Sequence, residues 1–377
     1  MIDGETDLPY DRPPLSKGCL KGEEDYDSAT LHPEQWYADH DIDLRLGRPV
    51  RRVDLSARQV YVHHQDPLPY DKLLLATGSS VRRLAVSGAD ADGVHYLRTL
   101  TDSQRLRKRF EDRPKVVVVG AGWIGLEVAA AARGHGCEVT VIEPQPTPLY
   151  GVLGPRVGRF YADLHVANGV DLRVDQGVEE IVSAGGRVAG VRTSSGDEVP
   201  ADMVVVGVGV LPNTELAEAA GLDCDHGVLC DQSLRTSDPD VYAAGDLAHW
   251  FNPLLGQRVR VEHWANAHDG GDAAGRAMLG QEVVYDVVPF FYSDQYDTGM
   301  EYAGYVPRGV DPAVVVRGDP DAREFMAFWL DHDRVLAGMH VNVWDTIDAV
   351  QDLIRASNRV DPERLADPAV PLAEVGG

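Results

Sequence analysis

No stretch of this sequence approaches the ~18 consecutive apolar residues that a membrane helix requires, so nothing in it is expected to span a bilayer. Positive charge is also scarce. Lys and Arg number 35 against 60 Asp and Glu, a formal net charge of −25. That balance argues against nucleic acid, whose phosphates call for clusters of Lys and Arg, and against an anionic membrane surface. There are 4 cysteines, Cys19, Cys137, Cys224 and Cys230, with no C-x-x-C and no metal-ligand spacing. Reduced thiols in a cytoplasmic protein are the simple expectation, and no metal site is expected. His63-His64 reads as a solvated strand end. The opening Met1-Ile2-Asp3-Gly4-Glu5 lacks the basic start and apolar core of a signal peptide. Apolar residues are not lacking. They make up 44% of 377 residues, too many for disorder and enough for about two or three domains.

The most informative stretch is residues 115–143. Lys115-Val116-Val117-Val118-Val119 suits a strand buried on both faces. Gly120, Gly122 and Gly125 follow in G-x-G-x-x-G spacing, for a tight turn, for close approach of backbone to a pyrophosphate, and for close helix–strand packing. The segment 125–133 is helical by propensity, and its amino end offers free N–H groups to phosphates. A second strand, Val139-Thr140-Val141-Ile142, ends at Glu143. This acid lies about 20 residues past the glycines, where it can take a ribose 2′-hydroxyl. An ordinary α/β unit with a Gly-rich turn would leave Glu143 unexplained. Strand, glycines, helix, strand and acid in order predict dinucleotide binding.

Elsewhere the pattern is coarser. Pro9, Pro13 and Pro14 predict a stiff, extended segment over 8–18; composition alone favours a solvated loop for Arg12 and Lys17. A short helix is expected at 33–40 and strands at 42–50 and 51–64. An apolar strand should run into the small-residue turn Ala76-Thr77-Gly78. A basic helix is expected at 101–110 and another helix at 155–168. A meander of short strands is expected from 171 to 200, and a buried strand within 201–209. Tyr242-Ala243-Ala244-Gly245-Asp246 reads as a strand end built for close ligand approach, with Asp246 serving sugar hydroxyls or capping a helix. Trp264, ahead of a Gly/Ala-rich helix, reads by composition as a core aromatic. Residues 283–377 read as a separate α+β domain with strands, an amphipathic helix at 345–357 and a surface tail past Val360.

Six segments in order resemble a known family: Pro9-Tyr10-Asp11-Arg12-Pro13-Pro14-Leu15-Ser16-Lys17, Ala76-Thr77-Gly78, residues 120–127, Gly207-Val208-Gly209-Val210-Leu211-Pro212-Asn213, Tyr242-Ala243-Ala244-Gly245-Asp246 and His263-Trp264-Ala265-Asn266-Ala267. Together they are similar to the FAD-dependent NAD(P)H:ferredoxin reductases that feed Rieske-type dioxygenases and bacterial haem monooxygenases. The resemblance implies two Rossmann-like three-layer dinucleotide-binding domains plus a C-terminal α+β domain. A flavin domain would be made of residues 1–84 and 213–284, an NAD(H) domain of 85–212, and a C-terminal domain of 285–377. It further implies that Arg12 and Lys17 face the flavin, that Glu127 pairs with Lys17 beside the nicotinamide, and that Asp246 and Trp264 contact FAD. Glu5 would take the FAD adenosine ribose. Ala76, Gly78 and Gly209 would line cofactor, and Gly120, Gly122, Gly125 and Glu143 would hold NADH.

The implied activity passes electrons from NADH through FAD to a ferredoxin-type iron–sulfur protein, and through it to an oxygenase. Glu143, with no cation closely following, favours NADH over NADPH by repelling a 2′-phosphate. The sequence departs from the family at its start, where a strand, a first G-x-G-x-x-G and a helix for the FAD pyrophosphate are expected and not found. Retention of the downstream FAD residues favours a mis-assigned start over a true truncation; as written, weak FAD binding and an exposed sheet edge are expected. Two competitors remain. One is a flavin-dependent peroxidase or disulfide reductase using Cys19, and the other a truncated, non-catalytic NAD-binding protein.

Overall fold

The computed structural model describes residues 1–63 and 65–376; His64 therefore lies outside the described residues. The chain folds into two compact units. One comprises Met1–Asp11, Asp27–Ser80 and Val210–Phe291, the other Arg12–Tyr26, Val81–Gly209 and Tyr292–Gly377.

The second unit contains a five-stranded parallel sheet in the order Val94–His95, Met203–Val206, Lys115–Val119, Glu138–Ile142, Asp171–Arg173. The valine run is buried on both faces, as its composition requires. Val117 and Val119, with Val204 and Val206, meet Ile181, Val191 and Val199 of an antiparallel meander, Val178–Ala184, Arg187–Thr193 and Glu198–Pro200. The other face takes the helix Trp123–Gly134. Meander, sheet and helices make the three layers. Because the Met203–Val206 strand returns on the opposite side of Lys115–Val119 from its successors, the strand order reverses there. Ligands bind at such a switch point, outside the carboxyl ends of the strands.

The basic helix is Leu100–Phe110, with Leu100, Ser103, Leu106 and Phe110 inward. Thr99 and Asp102 form a reciprocal capping box at its start, and Arg107, Lys108 and Arg109 suit the dipole at its end. Helix Tyr150–Ala167 begins earlier than its prolines suggest, because a non-helical Gly154 joins a leading turn to the part opened by Pro155. The C-terminal region is a five-stranded antiparallel-rich sheet, Phe290–Gln295, Thr298–Gly304, Arg334–Val341, Glu324–Asp331, Ala313–Asp319 in spatial order. The amphipathic helix Ile347–Ala356 lays Val350 and Ile354 on it.

The first unit carries smaller sheets. Leu73–Leu75 pairs in parallel with Val241–Ala243 in register Leu75 to Ala243. Both candidate small-residue turns, Ala76-Thr77-Gly78 and Ala244-Gly245-Asp246, thus leave the same end of one strand pair. Helix Trp264–Met278 packs its Gly270, Ala273, Ala274 and Ala277 inward.

Three local expectations change. The proline segment is not extended: Pro13–Ser16 is a 3-10 helix followed by the helical turn Gly18–Lys21. Proline is compatible with a first helical turn, whose N–H groups have no partner to lose. Residues 42–50 form no strand beyond a bridge from Arg45 to Ile2 and the first residue of Val50–Asp54, since Gly47 at φ 62° and Pro49 break the run. The tail past Val360 is largely exposed, yet Leu365 and Val375 anchor it in the core.

Candidate functional site

The glycine loop in the second unit has three distinct environments. A Cβ on Gly120, which sits at φ 98°, would come within 2.5 Å of the Gly207 carbonyl oxygen. A Cβ on Gly125 would come within 2.1 Å of the Gly120 oxygen. Both glycines are therefore demanded by backbone-on-backbone packing. Gly122 differs. It is the N-cap of Trp123–Gly134, no side chain caps that end, and nothing lies within 4 Å of where its Cβ would be. Open space in front of uncapped helical N–H groups is what a pyrophosphate needs, so these residues fit a dinucleotide. Glu143, 8% exposed, accepts the Ala121 N–H at 2.6 Å and the Gln145 N–H at 3.0 Å. It braces the loop and leaves lone pairs for a further donor. Gly209, at φ 93°, also faces open space.

Glu127 lies one turn into the same helix and is 2% exposed. Its carboxylate accepts from Lys17 Nζ at 2.9 and 3.0 Å, from Ser16 Oγ at 2.5 Å and from Ser293 Oγ at 2.6 Å. Lys17, with its side chain 13% exposed, also lies 5.1 Å from the centroid of the Tyr292 ring. The helical turn after Pro13–Ser16 is what delivers Lys17 here; Ser103 Oγ donates to the Leu15 carbonyl at 2.6 Å and His135 Nε2 lies 3.0 Å from the Leu20 oxygen, pinning the segment. A buried carboxylate is tolerable only when paired and hydrogen-bonded, and both conditions hold. Burial raises the Asp294 carboxyl, with Lys17 opposing. Burial likewise raises the Tyr161 phenol, and the Glu127 charge adds to that rise.

In the first unit, Gly245 adopts φ 73° and turns the chain into a 3-10 helix that buries Asp246. Asp246 stands near His263, the N-cap of Trp264–Met278. Burial lowers the His263 ring to about 4, with Asp246 opposing. The His263 Nδ1 atom is buried without a hydrogen-bond partner. An orphaned ring nitrogen beside an acid and a small-residue backbone is a donor set suited to the hydroxyls and phosphates of FAD. Ala76 and Gly78, the latter at φ 62°, leave the paired strand. Glu5 accepts the Tyr10 hydroxyl at 2.5 Å. Trp264 is not a core aromatic: it opens its helix on the solvent side and its Nε1 donates to Asp11 at 2.5 Å.

The sequence-derived residues thus gather by unit. Lys17, Glu127, Gly120, Gly122, Gly125, Glu143 and Gly209 belong to one, and Glu5, Ala76, Gly78, Asp246 and Trp264 to the other. Arg12 donates to the Arg98 carbonyl at 2.6 Å. Sequence reasoning missed Ser16, Ser293, Gln295, His165 and His263 as site residues. Adjacency to Lys17 could have raised Ser16; nothing local marks Ser293, 166 positions from its acceptor.

Comparisons with known proteins find relatives over nearly the whole chain. A family model described as pyridine nucleotide-disulphide oxidoreductase matches residues 1–271, and one described as reductase C-terminal matches residues 290–376. The chain is 43% identical, over 99% of its own length and 91% of the other's, to the ferredoxin–NAD(+) reductase component of an anthranilate 1,2-dioxygenase system from Burkholderia cepacia. A solved ferredoxin reductase from Rhodopseudomonas palustris superposes with a TM-score of 0.94 at 37% identity, covering 100% of this chain and 93% of that one. A putidaredoxin reductase, solved covalently joined to putidaredoxin, gives 0.94 at 35% identity over 99% of this chain and 90% of that one.

Proposed function

This chain belongs to the pyridine nucleotide-disulphide oxidoreductase family, and we propose that within it the protein is a flavoprotein ferredoxin–NAD(+) reductase. It takes electrons from NADH and delivers them to a ferredoxin-type iron–sulfur protein that serves an oxygenase. The single observation that carries the reading is the Lys17–Glu127 pair one helical turn beyond an open glycine loop. Such a placement fits a charged pair at the reacting end of a bound nicotinamide. Bound FAD supplies the step from a two-electron hydride donor to a one-electron acceptor.

The remaining roles fall to the chain. Gly122 and the helical N–H groups beyond it hold the NADH pyrophosphate, and Glu143 takes a ribose hydroxyl while repelling a 2′-phosphate. Lys17, fixed by Glu127 and Tyr292, presents a positive charge to the reacting rings. Asp246, His263, Ala76, Gly78, Glu5 and Trp264, all of the first unit, would hold FAD. Among the described residues no helix is long and apolar enough to cross a membrane, and no cysteine is in a disulfide. A cytoplasmic location goes with a reductase that draws on NADH.

A disulfide or peroxide chemistry at Cys19 has little support: the thiol is fully buried, and Lys17 takes the place beside Glu127. The test is direct. The purified yellow protein should oxidise NADH at a useful rate only when an iron–sulfur ferredoxin is added as acceptor. Rapid turnover with peroxide or a small disulfide, abolished in Cys19→Ser and indifferent to ferredoxin, overturns the proposal.

A further inference from the structure

We infer that His165 and Gln295 are positioning residues for the hydride-transfer site, acting through Ser293 to hold the Glu127 carboxylate in one orientation. The inference rests on the proposed role of Glu127 at the reacting nicotinamide.

The observation behind it is a continuous buried chain of polar groups. Tyr296 Oη lies 3.3 Å from His165 Nδ1, and His165 Nε2 lies 2.8 Å from Gln295 Oε1. Gln295 Nε2 donates to Ser293 Oγ at 3.1 Å, and Ser293 Oγ donates to Glu127 Oε1 at 2.6 Å. With a neutral imidazole, only one assignment of protons satisfies every member. Glu127 as a carboxylate accepts only, so Ser293 must give it a proton and must accept from the Gln295 amide. Gln295 then presents its carbonyl to His165, which must be protonated on Nε2 and must accept the Tyr296 hydroxyl on Nδ1. Every donor in the chain points toward Glu127, and such runs polarise one another.

Two independent features indicate that the chain is built rather than incidental. His165, Ser293 and Gln295 are all within the core, where an unpaired polar group is costly. Tyr296 sits at φ 55°, in the left-handed region, in the short turn between strands Phe290–Gln295 and Thr298–Gly304. A tyrosine resists that conformation. Here it turns the phenol onto the imidazole, edge-on at 5.2 Å between ring centroids. His165 comes from the last turn of Tyr150–Ala167, so the chain ties two helices of the dinucleotide-binding layer to the first strand of the C-terminal sheet. Burial lowers His165 to about 4, which keeps the ring neutral and the proton order fixed at neutral pH.

The test uses the flavin-loaded full chain. Nitrogen NMR of histidine-labelled protein, with the His165 signal identified by its loss in His165→Gln, should show a neutral ring protonated on Nε2; protonation on Nδ1 overturns the proposal. In rapid-mixing experiments Ser293→Ala and Gln295→Leu should each lower the limiting rate of NADH-driven flavin reduction about tenfold, the scale of a lost hydrogen bond to a charged group. NADH affinity should change by less than about twofold, and Ser293→Thr, which keeps the hydroxyl, should restore the rate. The double variant should be no slower than Ser293→Ala alone, because both act through one contact. Unaltered rates in the folded single variants, or fully additive losses, overturn the inference. Failure of the wild-type chain to accept electrons from NADH would instead sink the proposed function, and the histidine tautomer would still decide whether the donor chain exists.

Discussion

The two clusters of candidate site residues are both buried and both charged, but they are satisfied differently. Around Glu127, each carboxylate oxygen has partners from the chain itself, a lysine and two serines, one serine held in turn by an amide. Around Asp246, the neighbouring His263 keeps a buried nitrogen with no partner. A self-sufficient cluster holds its geometry whether or not ligand is present, as a reacting centre should. A cluster with an open polar atom gains stability from the ligand that closes it. The first arrangement suits a site of chemistry, the second a site of cofactor retention.

That contrast can be broken from either side. The largest effect is expected at the glycine loop that carries the first cluster. Gly125→Ala drives a Cβ against the Gly120 carbonyl oxygen; overpacking on backbone should cost about 3 kcal/mol, read in thermal or urea unfolding, and abolish NADH binding. Lys17→Met should follow, at about 3 kcal/mol for a buried carboxylate deprived of its cation. It should also bring a fall of about 100-fold in NADH-driven flavin reduction.

Acid should sharpen the comparison. His165 and His263 are both held near 4 by burial, whereas an unfolded histidine titrates near ~6.5. Between those values the unfolded chain binds more protons, so stability is full above pH ~6.5 and falls as pH drops toward ~4. Each ring accounts for about 3 kcal/mol of that loss. Added FAD should protect against the loss assigned to His263 and leave that assigned to His165, a difference visible in unfolding curves of His165→Gln and His263→Gln with and without cofactor. Smaller again, Glu143→Ser should weaken NADH about tenfold and narrow its advantage over NADPH, as titrations with both would show. His263→Ala should weaken FAD a fewfold, because it removes a buried ring nitrogen with no hydrogen-bond partner in the chain.

How much of this was legible in one dimension depended on distance along the chain. The strand–glycine–helix–strand–acid unit was legible because every interaction that defines it falls within 115–143, at spacings fixed by helix and strand geometry. The helix Leu100–Phe110 and the last three strands of the meander were legible for the same reason, whereas Asp171–Arg173, expected in the meander, joins the parallel sheet. The proline-rich segment misled because three prolines suggest extended chain, while tertiary contacts to Ser103 and His135 favoured the helical turn that prolines also permit. Trp264 misled because an aromatic beside apolar residues reads as core, while its place at the first turn of an amphipathic helix sends it outward.

By itself the sequence determined the strand–glycine–helix–strand–acid unit and the loop in it that fits a dinucleotide, since glycine spacing and a terminal acid act over a few turns of backbone. Only the tertiary structure decided what surrounds Glu127. Ser16 and Lys17 arrive from about 110 positions before it, Ser293 from 166 positions after it, and Gln295 and His165 are joined across 130. No periodicity links such residues. They meet because burying a carboxylate is costly until the fold gathers enough donors around it, and that gathering is a property of the packed chain.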